Sequence, residues 1–429
     1  MNSIEVDYLA SKGFDRRIVD ISQSAEAYIK GIFEEISRVR EYNQYKVIIA
    51  MQKSKLSDTH FSGTTGYGYG DRGREALEEA FAEVFKAEDA LVRHTIVSGT
   101  HALTLCLFGI LRPGDELLSA TGKPYDTLEE VIGLRGENGG SLKDFGVSFS
   151  KAENSEDGKV SFQNIKDKIN EKTKMVLIQR SRGYEWKDSL RVEEIKSIID
   201  FIRSIKKDVV ILVDNCYGEF TETKEPIEAG ADLVAGSLIK NPGGAIAPTG
   251  GYIAGRKKFV EQAAFRLNSP GLGKEVGPTL GMNRLLFQGL FFAPHVVAES
   301  MKGAVFCSEI MKRLGFAVSP GPFDKRGDII QAIKFNNPQM LIAFCQGIQK
   351  GSPVDTHVVP EPWDMPGYES PVIMAAGGFV QGASIELSAD APIRPPYIAY
   401  MQGGPLYESV KLGVLSAVQN MLDKGMIKI

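Results

Sequence analysis

The sequence predicts an α/β protein, with a mostly parallel sheet covered on both faces by helices and followed by a smaller α+β domain. Three observations carry this. Seven short apolar runs, "ALVRHTIV", "DELLSA", "GVSFS", "KMVLIQ", "DVVILVD", "ADLVAGS" and "GGYIAG", recur between residues 90 and 255. Helical or turn-rich stretches such as "LRVEEIKSIIDFIRSI" separate them, and strands alternating with helices read as βαβ units. After about residue 300 the pattern changes to "AVFCSEIMKRLGF", "DIIQAIKF" and Pro/Gly loops, which reads as a different architecture.

The elements follow in order. Residues 1–55 read as a helical segment, because "AEAYIKGIFEEISRV" carries apolar residues at helical spacing. Residues 56–300 form the expected large domain and 301–429 the smaller one. A glycine-rich loop, "GYGYGDRGRE", leads into a helix whose apolar face is Leu77, Phe81, Val84 and Phe85. It contains GxGxxG at Gly68–Gly73, but no strand precedes it, so a dinucleotide fingerprint is rejected.

Composition excludes several classes. With 50 basic and 54 acidic residues the net charge is −4, which implies no bulk attraction to nucleic acid or anionic membranes. The start lacks a basic segment followed by an apolar core, so no secretory signal is expected. The apolar stretch from Leu285 is too short to span a bilayer and holds Gln288 and Pro294. Cys106, Cys216, Cys307 and Cys345 form no CxxC pair, which argues against a zinc site or disulfide framework and for a cytoplasmic protein. No metal is expected.

Ligands of such sheets bind beyond the carboxyl ends of the strands, where four features stand out. In "VSGTHAL", Ser98, Gly99 and Thr100 could cradle an anion at a helix N-terminus or simply cap the helix. Asp214 closes the apolar run "VVILVD", and a carboxylate there needs a partner: a metal, a helix cap, or a cationic ligand group. Lys240, 26 residues later, lies at or just past the end of the next strand in "GSLIKNPGG". Partly desolvated, its amine would be a nucleophile for a carbonyl; otherwise it is a solvated loop lysine. A P-loop is not matched. Tyr125, in "SATGKPYDTLEEVIG", could be a platform for a flat ligand or a cover for the core edge. Together the four suit pyridoxal phosphate, which needs a lysine for its aldehyde, a carboxylate for its ring nitrogen, a phosphate cradle and a ring on its face.

"VDNCYGEF", "GSLIKNPGG", "SGTHAL", "GYGYGDRGRE" and "SADAPIRPPY" together resemble the aluminium-resistance or methionine γ-lyase-like family of pyridoxal-phosphate proteins, related to cystathionine β-lyase. The resemblance runs from about residue 55 to the C-terminus. It implies a fold-type I, aminotransferase-like architecture with Lys240 as the Schiff-base lysine and Asp214 at the pyridine nitrogen. It also implies Ser98, Gly99, Thr100 and Ser237 at the phosphate, Tyr125 on the ring face, and a homo-oligomer, a tetramer built from dimers. Tyr67, Tyr69 and Arg72 are then candidates for reaching the phosphate of the neighbouring subunit. The better-studied relatives have Thr before the lysine where this chain has Ile239, which leaves the substrate open. The glycines after Lys240 are expected to make room for a flat cofactor.

Arg394, between two prolines, could grip a substrate carboxylate, or pair with an acid such as Asp390. Arg180, Arg182 and Tyr184, in "IQRSRGYEW", fall near the same strand ends, Arg182 being a further candidate for the substrate. The implied activity is a carbon–sulfur lyase eliminating a thiol from a cysteine-, cystathionine- or methionine-like amino acid to give a 2-oxo acid and ammonia. An aminotransferase, or a non-enzymatic stress protein keeping the cofactor site, are the alternatives.

Overall fold

A computed structural model describes residues 3–136, 139–365 and 368–429, with the side chains of residues 3–5 left aside. Among these residues the chain divides into two compact units, 41–294 and 1–40 with 295–429. The helical segment expected over 1–55 is thus shared between both.

The larger unit is built on a seven-stranded sheet in the order β1-β7-β6-β5-β4-β2-β3. Its strands are β1 (Asp89–Arg93), β2 (Glu116–Ser119), β3 (Ser148–Lys151), β4 (Thr173–Gln179), β5 (Val210–Asp214), β6 (Leu233–Ser237) and β7 (Gly251–Gly255). These are the seven apolar runs read from the sequence. The pairings β2/β3, β2/β4, β4/β5 and β5/β6 are parallel. β7 runs antiparallel to both β6 and β1. The reason lies in its connection: between Ser237 and Gly251 the only regular element is the 3-10 turn Asn241–Gly243, with no helix to carry the chain back for a parallel strand.

Side-chain alternation sorts the strands into two faces. On one face Leu117, Met175, Leu177, Val210, Leu212, Leu233, Ala235 and Ile253 pack against the helices Gly99–Ile110 and Lys257–Leu267. On the other, Tyr252 of β7 lies against Phe81 and Phe85 of the helix Arg72–Phe85, with ring centroids 5.8 and 5.0 Å apart. Each such fully buried large side chain contributes roughly 1.5–3 kcal/mol.

The smaller unit carries the sheet β10-β11-β12-β9-β8. Its strands are β8 (Ala317–Ser319), β9 (Gln331–Lys334), β10 (Val372–Ala376), β11 (Ser388–Pro392) and β12 (Ile398–Gln402), with every pairing antiparallel. The helices Pro338–Lys350 and Tyr407–Asp423 approach so closely that a Cβ on Gly347 would lie 2.3 Å from Ala417 Cα. Glu26 explains why residues 1–40 belong here. Its carboxylate accepts from Tyr407 Oη at 2.8 Å and pairs with Lys411 Nζ at 2.9 Å. Among the described residues no helix is long and apolar enough to cross a membrane.

Candidate active site

Strand parity decides what reaches the site. Asp214 shares the face of Val210 and Leu212, as Gln179 shares that of Met175 and Leu177, and Ser237 that of Leu233 and Ala235. Gln179 and Asp214 are register partners. All three therefore end their strands on the face covered by the helix Gly99–Ile110.

That helix begins at the same edge. Ser98 is its N-cap, its hydroxyl accepting from His101 N at 3.0 Å, and the Thr100 hydroxyl bonds that of Thr127 at 2.7 Å. A Cβ on Gly99 would lie 2.9 Å from Cys216 Sγ and 3.6 Å from Ser237 Cβ. A side chain here would press on Cys216, and the helix N-terminus, with its amide donors, adjoins the ends of β5, which bears Asp214, and of β6, which stops three residues before Lys240. The Ser237 hydroxyl accepts from Ile239 N at 3.3 Å, so Ile239 contributes its backbone here.

Asp214 is buried, and burial pushes its carboxyl up; the Lys240 charge and bonds from Cys216, including its N–H at 3.2 Å, act in the opposite direction. Burial works against the Lys240 ammonium, but Cys216, Tyr217, Asp214 and Glu219 outweigh it and drive its pKa above the ordinary lysine range. Burial holds the Cys216 thiol well above the ordinary thiol range, so it is a neutral group at physiological pH. Asp214 is the carboxylate that pairs by charge with Lys240.

The polar groups fit a cationic heteroaromatic phosphate such as pyridoxal phosphate. A buried carboxylate opposes an amine, and a glycine-bearing helix N-terminus stands beside both. Tyr125, half-buried, adjoins this edge, with its ring 5.8 Å from that of Tyr184 and its Cδ2 3.7 Å from where a Cβ on Gly183 would be. A cavity of about 330 Å³, lined in part by Thr121, Asn154, Gln179, Ser181 and Lys187, reaches Gln179 but is not lined by Asp214 or Lys240.

A sequence profile of the methionine gamma-lyase family matches residues 18–422. The chain belongs to this family. It is 52% identical over 407 residues to YnbB of Bacillus subtilis (strain 168), covering 95% of this chain and 97% of that one. A solved structure of a carbon-sulfur lyase involved in aluminum resistance, from Clostridium novyi NT, superposes with a TM-score of 0.94. The two are 50% identical, over 98% of this chain and 99% of that one. The pyridoxal-5'-phosphate-dependent protein YhfS of Escherichia coli shares the fold, with a TM-score of 0.60 at 17% identity over 90% of this chain and 97% of that one. Membership of this family implies pyridoxal phosphate.

The remaining expected residues are placed as follows. Arg180 lies on the opposite sheet face from Gln179, where its guanidinium bonds Asn215 Oδ1 at 2.8 Å and pairs with Glu222 at 2.9 Å and Glu225 at 3.4 Å. It is a structural ion cluster. Arg182 is fully buried, 4.0 Å from Asp188. Tyr67 and Tyr69 are exposed on a braced loop, and Arg72 is exposed at the start of the helix that follows it. Arg74, not Arg72, ties this loop down by donating to Gly68 O at 2.7 Å and Gly277 O at 2.8 Å. Among the described contacts none joins Tyr67, Tyr69 or Arg72 to Lys240. Arg394, in the smaller unit, pairs at 3.9 Å with Glu369, and Asp390 accepts from Gln402 at 2.9 Å.

The glycines after Lys240 are required by packing. A Cβ on Gly243 would fall 1.6 Å from Leu238 O, and one on Gly244 (φ +53°) 2.4 Å from Gly289 O. The sequence reading missed Gln179, Cys216 and Tyr217. Strand parity with Asp214 was the available signal for Gln179; Cys216 and Tyr217 had only adjacency to Asp214.

Proposed function

We propose that the protein is a pyridoxal-phosphate-dependent carbon–sulfur lyase of fold type I, acting on a cysteine-, cystathionine- or methionine-like amino acid. The observation that carries this is the convergence of Asp214, Lys240 and the Gly99 helix N-terminus on one edge of the sheet, in a chain of the methionine gamma-lyase family.

Lys240 would hold the cofactor covalently and Asp214 its ring nitrogen. Ser98, Gly99, Thr100 and Ser237 would hold the phosphate, and Tyr125 the ring face. When bound, the cofactor supplies a ring that accepts the electrons of the substrate's Cα–H bond. Lys240 Nζ, once released, takes the Cα proton. Loss of a thiolate from the β or γ carbon, followed by hydrolysis of the elimination product by water, then gives a 2-oxo acid, ammonia and a thiol. Arg394 and Arg182 are assigned to the substrate carboxylate, which a guanidinium grips bidentately. Tyr67 and Tyr69, exposed on their braced loop, and Arg72, exposed at the start of the next helix, are assigned to the phosphate of a neighbouring copy in a homo-oligomer, a tetramer of paired active sites.

The test is a panel of thioether amino acids, with 2-oxo acid, ammonia and thiol quantified. Equimolar release of all three with at least one substrate, abolished in Lys240→Ala, is the expected result. Amino-group transfer to the cofactor without thiol or ammonia would overturn the lyase reading in favour of an aminotransferase. Purified protein with no absorption near ~420 nm after cofactor addition would overturn the cofactor assignment.

A further inference from the structure

Tyr217 occupies a backbone conformation that a bulky residue adopts only under constraint. Its φ is +71°, in the left-handed region, although the adjacent Gly218 could take such an angle without steric cost. Conformations of this kind persist where the surroundings over-determine them, and they gather at functional sites. The constraints here are explicit. Gly218 N donates to Asn215 O at 2.9 Å, and Asn215 N donates to Ala235 O at 3.0 Å. Arg180 packs so tightly that a Cβ on Gly218 would lie 2.4 Å from Arg180 Cδ. Asn43 then secures the next residues, donating to Phe220 O at 3.1 Å and Glu222 O at 3.0 Å.

The outcome of this bracing is one contact. Lys240 Nζ stands over the Tyr217 ring, 4.0 Å from its centroid. An ammonium on a ring face is stabilised by the ring quadrupole, whereas a neutral amine is not. A lysine released from a covalent bond otherwise carries four flexible carbons and no fixed place.

We propose that Tyr217 is a positioning residue whose ring face seats the Lys240 ammonium whenever that side chain is not covalently engaged. The proposal rests on the reading of Lys240 as the cofactor-binding lysine. In the turnover, Nζ takes the Cα proton and becomes an ammonium; the ring then holds that charge in reach of the site until the proton leaves. No bond is made to Tyr217 and no proton leaves its hydroxyl. The other groups acting on Lys240 are Cys216, Asp214 and Glu219, and they remain in every variant below.

The experiment compares Tyr217→Leu, which keeps apolar bulk without a π face, with Tyr217→Phe, which keeps the face. Because leucine is strained at +71°, Tyr217→Asn, whose side chain tolerates that region, carries the same comparison in parallel. Cofactor-free protein is acylated with acetic anhydride across a pH series, and Lys240 modification is followed by peptide mass spectrometry. At a pH below the lysine pKa, Tyr217→Leu and Tyr217→Asn should react about 5-fold faster at Lys240 than wild type, while Tyr217→Phe stays within about 2-fold. In the loaded enzyme the first two should lose about 10-fold in kcat with KM little changed, and phenylalanine should restore it. Wild-type labelling in a folded Tyr217→Leu or Tyr217→Asn protein, or failure of phenylalanine to rescue, overturns the proposal. Borohydride reduction of loaded wild-type protein keeps the two readings apart. Cofactor fixed to a lysine other than Lys240 defeats the underlying assignment, whatever the labelling rates.

Discussion

The Tyr252 hydroxyl donates to Glu219 Oε1 at 2.7 Å, on the sheet face opposite the Gly99 helix, where Glu219 is fully buried. Burial pushes the Glu219 carboxyl up to about 8, against the pull of this hydrogen bond. The folded protein therefore keeps a proton that the unfolded chain gives up near 4.5. The resulting stabilisation is complete below about 4.5 and is lost as the pH rises through about 8. Glu219→Gln removes this titration. Cofactor-free Glu219→Gln should gain on wild type as the pH is raised from 5 to 8.5, by about 4 °C in Tm at the upper end. A constant difference across that range would refute the assignment.

Arg180 is expected to matter for folding rather than for direct chemistry. Arg180→Met would leave Glu225, which is fully buried, without its guanidinium and would cost about 3–5 kcal/mol. Urea unfolding of the cofactor-free protein measures this. The same variant should loosen the turn that carries Tyr217, so Lys240 labelling should shift in the direction of Tyr217→Leu.

Gly243→Ala tests the reading of the glycines as packing residues. A Cβ 1.6 Å from Leu238 O cannot be accepted without moving the segment after Lys240. A loss of about 3 kcal/mol or more is expected even without cofactor. A variant that unfolds like wild type and loses only cofactor affinity would instead favour the cofactor-clearance expectation.

Subunit complementation tests the exposed loop. Arg72→Ala and Lys240→Ala proteins, each inactive alone, should regain about a quarter of wild-type activity when refolded together, because random pairing leaves one intact site in half of the dimers. No recovery would mean that Arg72 serves its own subunit's site or none.

The strands, their order along the chain and the Asp214–Lys240 pair were legible locally, because apolar runs and polar strand ends are written in consecutive residues. The period of two also separates Gln179 from Arg180 once β4 is placed, but only the packed sheet identifies which face meets the Gly99 helix. That choice turned Arg180 into a buried brace and brought Gln179 beside Asp214.

The sequence by itself determined the element types, the site-bearing edge and the residue chemistry gathered there. Tertiary structure alone decided the reversed direction of β7, the assignment of residues 1–40 to the C-terminal unit, the backbone contacts that demand Gly243 and Gly244, and the seating of Lys240 over Tyr217. Each depends on approaches between segments distant in the chain, fixed by close packing of the whole unit and invisible to any short window of residues.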